Sequence, residues 1–132
     1  MNAYLTPDGK PRPTIGPDTR PLWDGFRHHR LLLPFCAECG KAHLPAGPVC
    51  PHCFSDDTAF VEASGNGVIY SYSVTRQAKP PYVIAYVKLD EGVSMLTNIV
   101  DCEIDKIRIG QKVRVKFSEA GDGYALPVFT CA

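Results

Sequence analysis

The sequence predicts a mainly β fold in three parts, and three observations predict it. One stretch near the start repeats its apolar residues at helical spacing, two Cys-x-x-Cys pairs stand ten residues apart, and five short alternating stretches follow Phe60. In chain order these read as an N-terminal helix, a four-cysteine ribbon of the rubredoxin kind and a five-stranded OB-fold barrel. The expected divisions are an extended arm over 1–18, an amphipathic helix over 19–34, a zinc ribbon over 35–58 and the barrel over 59–132.

Pro7, Pro11, Pro13, Pro17 and Pro21 crowd the start of the chain, which suits an extended arm and leaves little room for helix. Such an arm is either disordered or laid along a partner. Asp18 or Thr19 then caps a helix in whose first turn Pro21 is tolerated. Leu22, Trp23, Phe26, His29, Arg30 and Leu33 recur at helical spacing and predict a helix from Thr19 to Arg30, with Pro34 turning the chain towards the first cysteine pair. Trp23 and Phe26 have two readings. They pack the helix onto its own domain, or they anchor a partner.

The pairs are Cys36-Ala37-Glu38-Cys39 and Cys50-Pro51-His52-Cys53. A tight Cys-x-x-Cys turn brings two sulfurs to one side of a loop, and two such turns supply the four ligands of a tetrahedral site. Four soft thiolates favour zinc over magnesium or calcium, with iron as the competing metal. Gly40 suits the sharp turn after the second sulfur, and Phe54 stands where a glycine usually follows the second pair. Four protein ligands leave no position for water or substrate, so the metal is read as structural. His28, His29, His43 and His52 are not needed as ligands and read as surface or packing residues. Cys102 and Cys131 read as small apolar side chains in or near a sheet.

After a turn at Ser64-Gly65-Asn66-Gly67, Val68, Tyr70, Tyr72 and Val74 are expected to share one strand face. Val83, Ala85, Val87 and Leu89 share the next, and Asp90-Glu91-Gly92 marks a hairpin. Val93, Met95, Thr97 and Ile99 then alternate with Ser94, Leu96 and Asn98. In Lys112-Val113-Arg114-Val115-Lys116-Phe117 the valines and Phe117 face in, while Lys112, Arg114 and Lys116 face out. That basic stripe is either a solvated face, which also resists edge pairing, or a contact for phosphate or an acidic partner. The last strand runs from Tyr124 to Thr130, and Pro127 places it at an edge or a bulge.

Fourteen basic and fourteen acidic residues in 132 give a formal charge of zero, without the basic excess of a dedicated nucleic-acid binder. No run is long and apolar enough to cross a membrane, and Met1 to Asp8 lack the basic start and apolar core of a signal peptide. A cytoplasmic location is expected. No Ser-His-Asp order, open metal site or phosphate-cradling glycine loop is present.

The strings Pro21-Leu22-Trp23-Asp24-Gly25-Phe26, Leu33-Pro34-Phe35-Cys36-Ala37-Glu38-Cys39-Gly40, Ser64-Gly65-Asn66-Gly67-Val68-Ile69-Tyr70-Ser71-Tyr72, Pro81-Tyr82-Val83-Ile84-Ala85-Tyr86-Val87-Lys88-Leu89-Asp90-Glu91-Gly92 and Ile109-Gly110-Gln111-Lys112-Val113 come in this order. In this order they resemble the acyl-CoA-associated family long labelled domain of unknown function 35. The resemblance spans residue 20 to the end. It implies a rubredoxin-type zinc ribbon followed by an OB-fold, and a non-catalytic accessory or scaffold subunit. The implied partner is a thiolase-fold enzyme acting on acyl-CoA or related acyl substrates: a thiolase, a lipid-transfer-like aldolase or an acyltransferase. Cys36, Cys39, Cys50 and Cys53 carry over as zinc ligands; no residue carries over as catalytic. The resemblance further implies a subunit that bridges or props its partner and lies near the coenzyme A thioester. Relatives often read Pro-Pro-Arg where this chain has Pro45-Ala46-Gly47, and a basic residue where it has Val93-Ser94. Any contact those arginines make is missing here or supplied by other residues. The alternative function is single-stranded nucleic-acid binding, with Tyr70, Tyr72, Tyr82 and Tyr86 stacking on bases and Lys112, Arg114 and Lys116 tracking phosphates. The balanced charge weighs against it.

Overall fold

A computed structural model of the chain describes residues 12–121 and 123–132. Most of the extended arm expected over 1–18 lies outside the described residues. A turn in which the Arg20 N–H donates to the Gly16 carbonyl leads into α1 (Arg20–Arg27). Thr19 is the cap residue, but its hydroxyl accepts the N–H of Gly16 and makes no capping bond to the helix.

The helix is shorter than its periodicity suggests. His29 adopts φ 57°, the Arg30 N–H reaches back to the Gly25 carbonyl and the His29 N–H to Phe26, a Schellman closure with histidine where glycine is usual. Beyond it Leu31 and Leu33 are buried at every second position, so Leu33 belongs to a strand. That strand is β1 (Leu32–Cys36), which pairs antiparallel with β2 (Thr58–Glu62), Cys36 opposite Thr58. Residues 37–57 between them hold both cysteine turns.

The other five strands are β3 (Asn66–Thr75), β4 (Tyr82–Leu89), β5 (Ser94–Val100), β6 (Lys112–Glu119) and β7 (Ala125–Cys131). They close a barrel in the order β3-β4-β5-β7-β6. Its last seam is short: β5 and β7 run parallel and pair only at Ile99–Phe129 and Val100–Thr130. Pro127 lies below that seam, where its missing N–H breaks no bond to β5. The Thr97 hydroxyl, itself buried, donates to the Pro127 carbonyl at 2.9 Å.

Val83, Ala85, Val87 and Leu89 are all buried, as the alternation of β4 requires, and Val113 is buried on β6. The expected face of β3 is corrected. The register slips between Ile69 and Ser71, a β-bulge, so side chains before and after it follow opposite parities. Gly67 and Ile69 are the buried residues of the first half and Tyr70 is 64% exposed, while Tyr72 (37% exposed) and Val74 (half-buried) stand opposite the buried Ala85 and Val83. Gly67 is required by a close approach: a Cβ there would sit 2.6 Å from the Lys88 carbonyl oxygen.

Cys102 and Cys131 are a second correction. They are joined in a disulfide, their Cα atoms 6.0 Å apart, which ties the turn after β5 to the end of β7 beside the short seam. Two cysteines far apart in sequence give no signal of pairing until the barrel brings those ends together. Phe26, Leu31 and Leu33 join Ile69, Val87, Ile107 and Phe129 in one core, so helix, ribbon strand and barrel are packed together. Glu91 adds a polar tie: its Oε2 accepts the N–H of Ser64 in the link between ribbon and barrel.

Candidate metal centre

The two cysteine turns are built alike. In the first, the Gly40 N–H donates to the Cys36 carbonyl at 2.9 Å, with Gly40 at φ 72°. In the second, the Phe54 N–H donates to the Cys50 carbonyl at 2.8 Å, with Phe54 at φ 63°. Phe54 thus holds the left-handed conformation that glycine holds in the first turn. A Cβ there costs about 1–2 kcal/mol, and a side chain 79% exposed recovers little of it by packing. The first turn is tied back to β1 by the Cys36 N–H on Lys41 and the His43 N–H on Pro34, and the second is closed on itself by the Cys50 N–H on Ser55.

These turns bring four sulfurs together. The Sγ atoms of Cys36 and Cys53 are 3.6 Å apart, those of Cys39 and Cys50 3.7 Å, and all four lie within 4.8 Å of one another. A tetrahedron of sulfurs about 2.3 Å from a central zinc has edges of about 3.8 Å, so the set fits the ion. Cys36 and Cys50 are buried, Cys39 half-buried and Cys53 exposed. The N–H of Cys39 points at Cys36 Sγ (3.4 Å) and that of His52 at Cys50 Sγ (3.3 Å), the latter favouring thiolate over thiol at Cys50.

The thiols do not titrate alike. Burial pushes Cys50 up, but the backbone N–H groups of Cys53 and His52 and the sulfurs of Cys39 and Cys53 outweigh it and bring it to about 7. At Cys53 the Ser55 N–H pulls down, yet burial and the three other sulfurs together push the thiol up to about 12. Cys39 is also raised, burial being the largest cause. Four thiolates this close oppose one another's ionisation, and a divalent cation at their centre removes the conflict. With every position taken by protein sulfur, such an ion holds shape and offers no place for substrate. None of the histidines joins the cluster. His43 is buried, His52 is exposed, His28 bonds the Asp24 carbonyl and His29 stacks on Phe117 with ring centres 5.3 Å apart.

Phe26, one of the two residues expected to meet a partner, is buried, its ring 6.2 Å from that of Phe117. Trp23 is half-buried, edge-on to Phe26 at 5.3 Å and to Tyr124 at 6.3 Å. What remains of it outside borders an apolar groove of about 870 Å³ with Tyr82, Leu126 and Val128. Lys112, Arg114 and Lys116 are exposed on the outer face of β6, and Lys116 is ion-paired with Asp101. Arg114 and Lys116 line a cleft of about 590 Å³ beside His29 and Phe117. Sequence reasoning did not single out two features: the glycine-like conformation of exposed Phe54, and the outer face of β3, β4 and β5.

Residues 23–59 match the ChsH2 rubredoxin-like zinc ribbon domain, and residues 60–118 match the ChsH2 C-terminal OB-fold domain. The chain is 41% identical over 125 residues to a probable enoyl-CoA hydratase alpha subunit of Thermomonospora curvata, an alignment covering 91% of this chain and 39% of that protein. It is 37% identical over 98 residues to a DUF35 domain-containing scaffold protein of Methanocaldococcus jannaschii, covering 66% of this chain and 69% of that one. Among solved structures, a chain of the Ltp2-ChsH2(DUF35) aldolase matches with TM-score 0.82 and 40% identity, over 91% of this chain and 98% of that chain.

Proposed function

The chain belongs to the ChsH2 (DUF35) family of zinc-ribbon and OB-fold proteins, and from that premise we propose that it is the accessory, scaffolding subunit of a thiolase-fold enzyme acting on acyl-CoA substrates. One observation carries this reading: nearly the whole described chain superposes on a chain of an aldolase assembly at 40% identity. The chemistry of the metal centre supports it, since a closed four-sulfur site holds a surface in shape for something else to use. The catalytic groups then belong to the partner, a thiolase, a lipid-transfer-like aldolase or an acyltransferase, in the cytoplasm. In this reading the outer face of β6, with Lys112, Arg114 and Lys116, borders the phosphates of the coenzyme A thioester.

The test is to purify the tagged chain from its native host at moderate salt and identify what accompanies it by mass spectrometry. A thiolase-fold protein in near-stoichiometric yield is the expected result. Recovery of nucleic acid alone, lost as salt rises, would overturn the reading in favour of an OB-fold nucleic-acid binder.

A further inference from the structure

The barrel is closed most thinly where its one bridge stands. β5 and β7 pair at Ile99–Phe129 and Val100–Thr130, and the Cys102–Cys131 disulfide lies immediately beyond, in the place of a further pair. The Ala132 N–H donates to the Lys112 carbonyl on β6, so by alternation the Cys131 N–H faces β5, where Cys102 Sγ accepts it at 2.9 Å. The neighbouring seams are long. β4 and β5 pair from Val83–Ile99 to Lys88–Ser94, and β6 and β7 from Val113–Cys131 to Glu119–Ala125. Loss of the bridge would therefore leave the barrel folded and loosen one seam.

The surroundings of the two sulfurs suit exchange. Each is met by an N–H donor: Cys102 Sγ by the Cys131 backbone, and Cys131 Sγ by the Gln111 side-chain amide at 3.0 Å. The amide is held in that sense because its Oε1 accepts the Arg108 N–H. A neutral sulfur is a weak acceptor, so both bonds strengthen when the sulfur becomes a thiolate. Exchange expels a thiolate, and a sulfur whose thiolate is stabilised leaves faster. Both cysteines are half-buried, within reach of solvent, while the other four belong to the metal centre. In a cytoplasm, where thiols are kept reduced, a bridge of this kind is usually transient, catalytic or redox-sensing.

We propose that Cys102–Cys131 is a reversible exchange site for thiol reductants, and that its reduction opens the β5–β7 seam. A reductant thiolate attacks one sulfur, forms a mixed disulfide and expels the other as a thiolate. Gln111 receives that charge at Cys131, or the Cys131 N–H receives it at Cys102. A second reductant thiol then attacks the mixed disulfide, closes the reductant's own disulfide and frees the remaining cysteine. Two electrons and two protons pass to the bridge, and two reductant thiols become one disulfide. The seam forms part of the groove of about 870 Å³, to which β5 gives Asn98, Ile99 and Val100 and β7 gives Leu126 and Val128. Trp23, the one tryptophan of the chain, borders the same groove. The inference does not depend on which enzyme the chain serves.

The experiment equilibrates the zinc-loaded chain in glutathione buffers of graded poise, traps free thiols with iodoacetamide and reads Cys102 and Cys131 by peptide mass spectrometry. Amide hydrogen exchange and Trp23 fluorescence are followed in the same samples. At the cytosolic poise the bridge should be mostly reduced, and it should re-form when oxidised glutathione is returned. Zinc content should not change. On reduction the Phe129 and Cys131 amides should exchange about tenfold faster or more, while the β3–β4 ladder keeps its protection. Gln111→Met keeps the bulk of the side chain and removes the donor, so half-reduction should need a several-fold more reducing buffer. If that variant fails to fold, the wild-type measurements decide alone. A bridge that stays oxidised at the cytosolic poise is a permanent staple and overturns the proposal, whatever the chain's partner. So does a reduced chain whose seam amides stay protected, or a folded Gln111→Met that is reduced as easily as the wild type.

Discussion

At the residue scale, the four cysteines and Phe54 separate what a site needs from what it tolerates. Cys50 is buried, with its sulfur 3.7 Å from that of Cys39 and aimed at by the His52 N–H. Cys50→Ser removes a thiolate where metal binding energy is also folding energy, of order 10–16 kcal/mol in small zinc domains. Zinc measured by mass spectrometry should fall to background, and the unfolding midpoint by about 10 °C or more. Full zinc with an unchanged melting curve would contradict a structural site. Phe54→Gly should act in the opposite sense. Relief of the left-handed conformation exceeds the entropy that glycine adds to the unfolded chain, for a net gain of about 0.5–1 kcal/mol in a denaturant titration. The cysteine spacing made the metal centre legible at once. The conformation of Phe54 was signalled only by its place after the second pair.

At the scale of elements, alternation was read correctly where strands stay regular and misread where the backbone departs from its period. β4 buries all four residues its pattern assigns, and β6 buries Val113 with Val115 and Phe117 half-buried against the core, because each strand runs without interruption from turn to turn. β3 does not, because one bulge residue at Tyr70 reverses the parity and no residue type announces it. The helix ended early for a related reason: His29 takes the closing position that glycine normally marks. Gly67, in the regular part of β3, allows a direct test. Gly67→Ala would place a Cβ 2.6 Å from the Lys88 carbonyl oxygen and 2.8 Å from Val87 Cγ1, and neither has room to move inside the β3–β4 ladder. A loss of about 2–3 kcal/mol in thermal or denaturant unfolding is expected. The Cys102–Cys131 bridge spans 29 residues and closes a loop across the weakest seam of the barrel. By loop-closure entropy, Cys102→Ser with Cys131→Ser should cost about 3–4 kcal/mol, with zinc retained.

At the scale of the whole molecule, one core joins helix, ribbon strand and barrel, so the ribbon is held at a fixed place on the barrel surface. This rigidity suits the scaffolding role proposed. The overall order of helix, ribbon and barrel was legible because each part has its own period or spacing. The outer apolar face of β3 to β5 was not, since a strand's pattern tells which residues alternate but not what meets the outer set. If β6 borders coenzyme A, Lys112→Glu with Arg114→Glu should raise KM for the acyl-CoA in the reconstituted complex about tenfold and leave kcat unchanged, as for a binding contact equal in ground and transition states. An unchanged KM would return those residues to a solvated strand face.

The scaffolding role proposed for this chain is decided by acyl-CoA turnover measured for the zinc-loaded chain alone, for a co-purified thiolase-fold protein alone, and for the two together. No turnover is expected from the chain alone, and the activity of the other protein should rise with the chain and saturate at a fixed stoichiometry. Turnover by the chain alone, or a partner indifferent to its presence, would contradict it.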